Sequence, residues 1–167
     1  MRRALLTLAL ALVAPAPAAA SGGGLFPAYG GSGATTADAP WTYVTVPAGR
    51  GHSVVQAIHK PDGAVQLFRR LTGEYATPTV ALDGSQTGLS GDGATLVLVE
   101  NSHRYPPRRT KLLVLYAMGL QTRAHVTLPG YSSVDAVSPD GRWIYLVHYR
   151  RPQREDRRSL LRGLYPR

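Results

Sequence analysis

The chain has no cysteine, and that absence removes several chemistries at once. It excludes a disulfide framework, a Cys-x-x-Cys redox or zinc pair, a thiol nucleophile and a lipid-bearing cysteine. Acids are also scarce: 10 Asp and Glu among 167 residues leave few carboxylates for general acid-base work or metal ligation. Lysine occurs only at positions 60 and 111, so nearly all positive charge is arginine; with plentiful Ala, Gly and Pro this reads as coding bias of a GC-rich bacterial genome. After residue 20 no apolar run approaches the ~20 residues that span a bilayer. The sequence also lacks H-E-x-x-H, a G-x-S-x-G elbow and a phosphate-cradling glycine loop, so no zinc, no cofactor and no catalytic site is expected.

What is present begins with an address. Arg2 and Arg3 precede an apolar stretch at residues 4–14 (ALLTLALALVA), and Ala18-Ala19-Ala20 offers a small-residue cleavage site. Residues 1–20 are therefore expected to be a secretory signal peptide, and the mature chain to be secreted, periplasmic or attached to the cell envelope. Its stability must then come from its core alone. Loss of Arg2 and Arg3 takes the formal charge from +9 to +7, and residues 150–167 hold +5 of it, seven arginines against Glu155 and Asp156. This basic tail is expected to be disordered or a short helix, the best helical candidate being residues 157–164 (RRSLLRGL), against which Gly163 counts.

Residues 21–40 are rich in Gly, Ser and Ala and read as a flexible lead-in loosely pinned by its isolated aromatics. From Trp41 the texture becomes short apolar or alternating runs broken by Gly, Pro and Asp, the pattern of an all-β domain over residues 41–149. Strands are expected at 42–46, 52–59, 64–71, 76–82, 87–90, 95–100, 111–117, 123–128, 133–137 and 142–149. Pro78 assigns residues 76–82 to a sheet edge, because proline lacks the ladder N–H. Continuous runs at 96–99 and 144–147 point to strands covered on both faces, whereas the alternation at 42–46 points to a half-exposed one.

Two segments repeat. Residues 89–99 (LSGDGATLVLV) lie over residues 137–147 (VSPDGRWIYLV) at an offset of 48, sharing Ser, Asp, Gly, Leu and Val. Upstream, 80–84 (VALDG) lies over 126–130 (VTLPG) at an offset of 46. Asp92-Gly93 and Asp140-Gly141 fit a tight hairpin turn, since glycine accepts positive φ and aspartate bonds its own backbone there.

A repeat of about 45 residues with S-x-D-G before an apolar strand is similar to the blades of bacterial β-propeller repeat proteins, the TolB-like, YVTN-like and WD-repeat-like group. The carrying residues are Ser90, Asp92, Gly93 and residues 96–99, matched by Ser138, Asp140, Gly141 and residues 144–147. The stretch Val44-Thr45-Val46 looks like the opening strand of such a blade. The resemblance implies four-stranded blades: one over 42–82, a second over 87–128, and half of a third over 133–149, so about two and a half blades of a partial propeller. The Trp-Asp ending of true WD blades is absent. A closed propeller takes typically four to eight blades, so the chain is either a truncated gene product or a short protein that completes itself by association.

In that architecture the loops from second to third strands and from blade to blade share one face. Residues 103–109 (HRYPPRR) form one such loop and Pro129-Gly130-Tyr131 another, with Arg150 and Arg151 expected beside them. Arg104, Tyr105, Arg108, Arg109 and Tyr131 are the candidate ligand-binding residues: arginine forks hold carboxylate, phosphate or sulfate, and tyrosine offers a flat face. A solvated, proline-stiffened loop explains the same residues without a ligand. Ser132-Ser133 with Asp135 and nearby histidines invites a hydrolase reading, and Glu100 with Asp135 an acid-base pair, but nothing fixes their separation. Trp41, Trp143 and most tyrosines interleave with apolar residues and read as packing, so nucleic acid is not expected. The expectation is an exported, non-catalytic binding module for an anionic polymer, peptide or glycan. The alternative is a propeller enzyme, a lyase or lactonase-like hydrolase, whose catalytic blades are missing.

Overall fold

The structure, a computed structural model, describes residues 27–80 and 83–150. The expected signal peptide and basic tail lie outside the described residues, apart from Arg150. Among the described residues nine antiparallel strands form three sheets: β1 (Trp41–Pro47), β2 (His52–His59) and β3 (Val65–Thr72); β4 (Tyr75–Ala76), β5 (Thr95–Glu100), β6 (Arg109–Tyr116) and β7 (Gln121–Pro129); β8 (Tyr131–Val137) and β9 (Ile144–Tyr149). The all-β expectation holds: among the described residues there is no helix. None of the sheets closes on itself, and each strand pairs with its sequence neighbour inside its sheet.

The sheets are stacked, and alternation along the middle one shows why. Leu96, Leu98, Leu113 and Leu115 turn one way, into a core shared with Tyr43, Val55, Ala57 and Leu71 of the first sheet. Val97, Val99, Leu112 and Val114 turn the other way, into a core with Val134, Val137 and Ile144 of the third. Side chains on a strand alternate between faces, so a strand buried on both sides must be apolar at every position. That is what TLVLV at Thr95–Val99 supplies. Burying each of those leucines contributes about 1.5–3 kcal/mol.

The two Asp-Gly turns are the same object built twice. In each, the serine hydroxyl donates to the aspartate, Ser90 to Asp92 at 2.5 Å and Ser138 to Asp140 at 2.6 Å. The same oxygens accept the N–H of Thr95 and of Trp143, both at 2.9 Å. Gly93 and Gly141 adopt φ of 69° and 64°. Pairing follows the offset of 48, since Leu89 faces Leu96 as Val137 faces Ile144.

Several expectations are corrected. Residues 76–80 are not the fourth strand of the first sheet, residues 81 and 82 of that expected strand lying outside the described residues: β4 lies at a sheet edge, as Pro78 requires, but it pairs with β5 of the second sheet. Only Gly73 and Glu74 separate β3 from β4. Gly73, at φ 118°, turns the chain away, and Tyr75 and Ala76 bury their side chains in the new sheet. Of residues 80–84, the described Val80, Asp83 and Gly84 lie outside any strand, so they do not match 126–130. The chain leaves the β5 edge after β4 in a small hairpin closed by Thr87 N–H to Pro78 O at 2.9 Å, then returns at Leu89, whereas 126–129 lie in β7. Residues 87–90 therefore make a single bridge to β5.

Strand β1 is not half-exposed. Tyr43, Val44 and Thr45 are all buried, because residues 28–34 run beside it. Ala34 and Tyr43 exchange backbone bonds at 2.8 and 2.9 Å, and Gly30 N–H reaches Thr45 O at 2.8 Å. The lead-in thus flanks β1 as residues 75–76 and 89 flank β5, which makes β1 the second strand of its unit and not the opening one. Strand β9 is the opposite case. Expected to be covered on both faces, it exposes Tyr145, Leu146 and Val147, since no further strand or sheet covers it among the described residues.

Candidate functional site

The second-to-third-strand loop of the middle sheet, residues 101–108, and the single Gly130 joining β7 to β8 emerge at one end of the stack. The turn between β1 and β2 and the Gly73-Glu74 connection are there too: Gly73 N–H bonds Gly51 O at 2.7 Å and Asn101 N–H bonds Glu74 O at 2.7 Å. The Asp-Gly turns occupy the other end.

The loop's shape is set locally. Ser102 Oγ donates to Arg104 O at 3.0 Å and accepts the Arg104 N–H at 3.3 Å, and the Tyr105–Pro106 peptide is cis. Arg108 O accepts the Gly130 N–H at 2.8 Å, tying loop to connection. Buried Thr110 completes the joint: its hydroxyl donates to Gly130 O at 3.0 Å and accepts the Ser132 N–H at 2.8 Å. Gly130 is required here. It has φ 77°, and a Cβ on it would stand 2.8 Å from the His148 ring.

These bonds gather three tyrosines. The Tyr105 ring meets the Tyr131 ring edge-on, with centroids 5.5 Å apart and planes at 77°. Tyr131 stacks on Tyr149 at 4.7 Å and 22°. The Tyr149 hydroxyl lies 3.2 Å from Ser133 Oγ. Burial first, then the neighbouring Tyr105 and Tyr149, raises the Tyr131 phenol well above its ordinary value, so it is a neutral hydroxyl at any physiological pH. Two of the rings border a cavity of about 30 Å³, lined by Pro27, Pro78, Val99, Tyr105, Thr110 and Tyr131 among others. That is room for about one water.

Of the candidate residues, Tyr105, Tyr131 and Arg109 line this one cavity. Arg104, Arg108 and Arg109 are exposed on the loop that carries Tyr105, and Arg150, the residue after Tyr149, is exposed as well. Arg151 lies outside the described residues. Alongside runs an open groove of about 610 Å³ walled by Arg50, Gly73, Glu74, Glu100, Asn101 and His103. Its two carboxylates are already engaged: Glu74 with His103 at 2.9 Å and the Gly51 N–H at 3.0 Å, Glu100 with Lys111 at 2.8 Å. Sequence reading missed this groove and missed Tyr149, which had been assigned only to a strand.

The hydrolase arrangement is half present. Ser132 Oγ and His148 Nδ1 lie 3.0 Å apart across the β8–β9 ladder. Asp135 does not support the histidine; it stands exposed where β8 bulges. Glu100 is engaged by Lys111 and makes no acid-base pair with Asp135. Among the described residues no three His, Asp or Glu side chains converge as metal ligands, and no helix is long and apolar enough to cross a membrane. In comparisons with known proteins the chain matches no family model, no curated protein and no solved structure.

Proposed function

We propose that this chain is an exported, non-catalytic binding module built from propeller-type blades, and that it takes an anionic, chain-like ligand across the tyrosine-arginine end of its sheets. The blade reading is supported by the duplicated Ser-x-Asp-Gly turn and by three sheets stacked face to face around two cores. The binding reading rests on one observation above others. Tyr105, Tyr131 and Tyr149 form a continuous aromatic cluster, with Arg104, Arg108 and Arg109 exposed on the Tyr105 loop and Arg150 exposed next to Tyr149 in the chain. Flat rings bind sugar or peptide faces through apolar contact, while guanidinium forks bind the carboxylate, phosphate or sulfate groups of the same ligand.

Replacement of Arg104, Arg108 and Arg109 by alanine tests this on columns of an acidic polysaccharide and an acidic peptide. Elution at clearly lower salt is expected, because each lost contact removes part of the salt-dependent attraction. Unchanged elution would remove the loop from consideration. The rival propeller-enzyme reading is favoured by the Ser132–His148 pair alone. Turnover of esters or lactones that disappears in Ser132→Ala would replace the binding reading with the enzymatic one.

A further inference from the structure

The stack of sheets has two open ends. Tyr43, Val55 and Ala57 point into the core shared with the second sheet, so the alternate residues of β1 and β2, with their partners on β3, turn outward. On that outer face Val46 pairs with Val54, Gln56 with Phe68 and Ile58 with Val65; Phe68 is 70% exposed and Val65 49%. At the other end Val134, Val137 and Ile144 point towards the second sheet, which turns Ala136, Tyr145 and Val147 outward, the last two 56% and 37% exposed. Among the described residues no sheet stacks on either face.

The offset of 48 makes these faces the two halves of one interface. It carries Val97 and Val99 onto Tyr145 and Val147. In the second sheet Val97 and Val99 are buried on the side of the third, while Leu96 and Leu98 are buried on the side of the first. A sheet thus meets its successor with the Val97 side and its predecessor with the Leu96 side. The Tyr145 and Val147 face is a Val97 side with no successor, and the Val54 and Phe68 face is a Leu96 side with no predecessor. We propose that a second copy of the chain fills both vacancies: the third sheet of one copy stacks on the first sheet of the next, head to tail, in the order the sheets already follow within one chain.

The two faces suit each other. Both are mainly apolar, and a bare apolar face of this kind marks an interaction surface. Arg70, opposite Val54, adds positive charge to one, and exposed Asp135, next to Ala136 in the β8 bulge, adds the opposite sign beside the other. A symmetric contact of like faces, Phe68 on Phe68, would reverse the stacking order that occurs twice inside the chain. Head-to-tail contact uses a different patch on each copy, so it extends into a ring or an open row. It depends on the sheets repeating as blades, the first part of the function proposed above, and not on what the tyrosine end binds.

Analytical ultracentrifugation of the full chain tests this. The unaltered chain should associate as concentration rises. Phe68→Asp and Tyr145→Lys each spoil one exposed face without entering a core, and each alone should weaken self-association at least tenfold. Mixed one to one they should form a dimer, because each keeps the face that the other has lost. Either variant associating alone as strongly as the unaltered chain would overturn the proposal in favour of a symmetric contact through its intact face. A mixture that stays monomeric would overturn it as well. A folded unaltered chain that is monomeric at every concentration would give the two faces to another occupant, striking the head-to-tail contact while leaving the blades and the ligand face standing.

Discussion

Asp92 donates its backbone N–H to the Pro139 carbonyl at 2.8 Å, joining one copy of the Ser-x-Asp-Gly turn to the other. The contact is close: a Cβ on Gly91 would stand 3.0 Å from Pro139 Cα, and one on Gly141 would stand 2.3 Å from Thr95 Oγ1. The repeated turns therefore do more than close two hairpins. They set the spacing between the second and third sheets at the end opposite the tyrosines, while Thr110 and Gly130 set it at the other.

Removing one serine hydroxyl should show this coupling. In Ser90→Ala the Thr95 N–H, a buried donor, loses its acceptor, which costs about 1–3 kcal/mol. Ser138→Ala strips the Trp143 N–H, which is only part-buried and can turn to water. Urea unfolding of both single variants and the double should give the larger single loss in Ser90→Ala and a non-additive double, because the turns touch. Strict additivity would argue that they are independent.

Glycines with the same backbone angle should not cost the same to replace. Gly49 and Gly141 both have positive φ, 87° and 64°, but a Cβ on Gly49 meets nothing within 4 Å while one on Gly141 meets Thr95. Gly49→Ala carries only the left-handed penalty of about 1–2 kcal/mol. Gly141→Ala adds displacement of Thr95 and should lose clearly more in the same denaturation measurement.

The lead-in offers a third check. Gln86, in the small hairpin beyond β4, accepts from the Gly33 N–H and from Ser32 Oγ, and its amide donates to Gly30 O at 2.9 Å. Gln86→Ala should release residues 28–34 from β1, raising their amide exchange severalfold while the β5–β6 amides stay protected. Uniformly raised exchange would mean that Gln86 supports the whole domain.

How far the sequence could be read depends on the range of the physics involved. The strands and the turn at Asp92 were legible because glycine, aspartate and apolar periodicity act over a few residues. Partnership was not legible at Tyr75 and Ala76, which leave the first sheet for the second because of Gly73 and the burial waiting there. The tyrosine cluster was half legible for a similar reason. Counting outward from the Val137–Ile144 pair sets Tyr131 against Arg150, but the register shift between Val134 and Ala136 moves it onto Tyr149. A one-residue bulge is fixed by packing against the neighbouring sheet and leaves no local mark.

Acid should weaken the domain through its turns. The Ser90 hydroxyl, then the Ala94 N–H, holds the Asp92 carboxyl below its ordinary value. Ser138 and the Arg142 N–H do the same for Asp140. A depressed folded-state value means the ionised form is favoured by folding. The contribution is present above the unfolded value of about 3.9 and is lost as pH falls through the folded values below it. Thermal midpoints should drop below about pH 4, and in Asp92→Asn with Asp140→Asn that drop should shrink.

Alkali should act at the opposite end of the molecule. Burial, then Tyr105 and Tyr149, raises Tyr131, so here the folded state favours the neutral phenol. The sign is reversed: this contribution is complete below the unfolded tyrosine value of about 10 and is lost as pH rises through the folded value. In an ultraviolet titration of the nine tyrosines, the more exposed ones should ionise first and Tyr131 only as the fold gives way. Tyr131→Phe should remove one late-titrating phenol. If that variant instead removes an early one, the stacked cluster is open to solvent, and a ligand-binding face built on its rigidity loses its support.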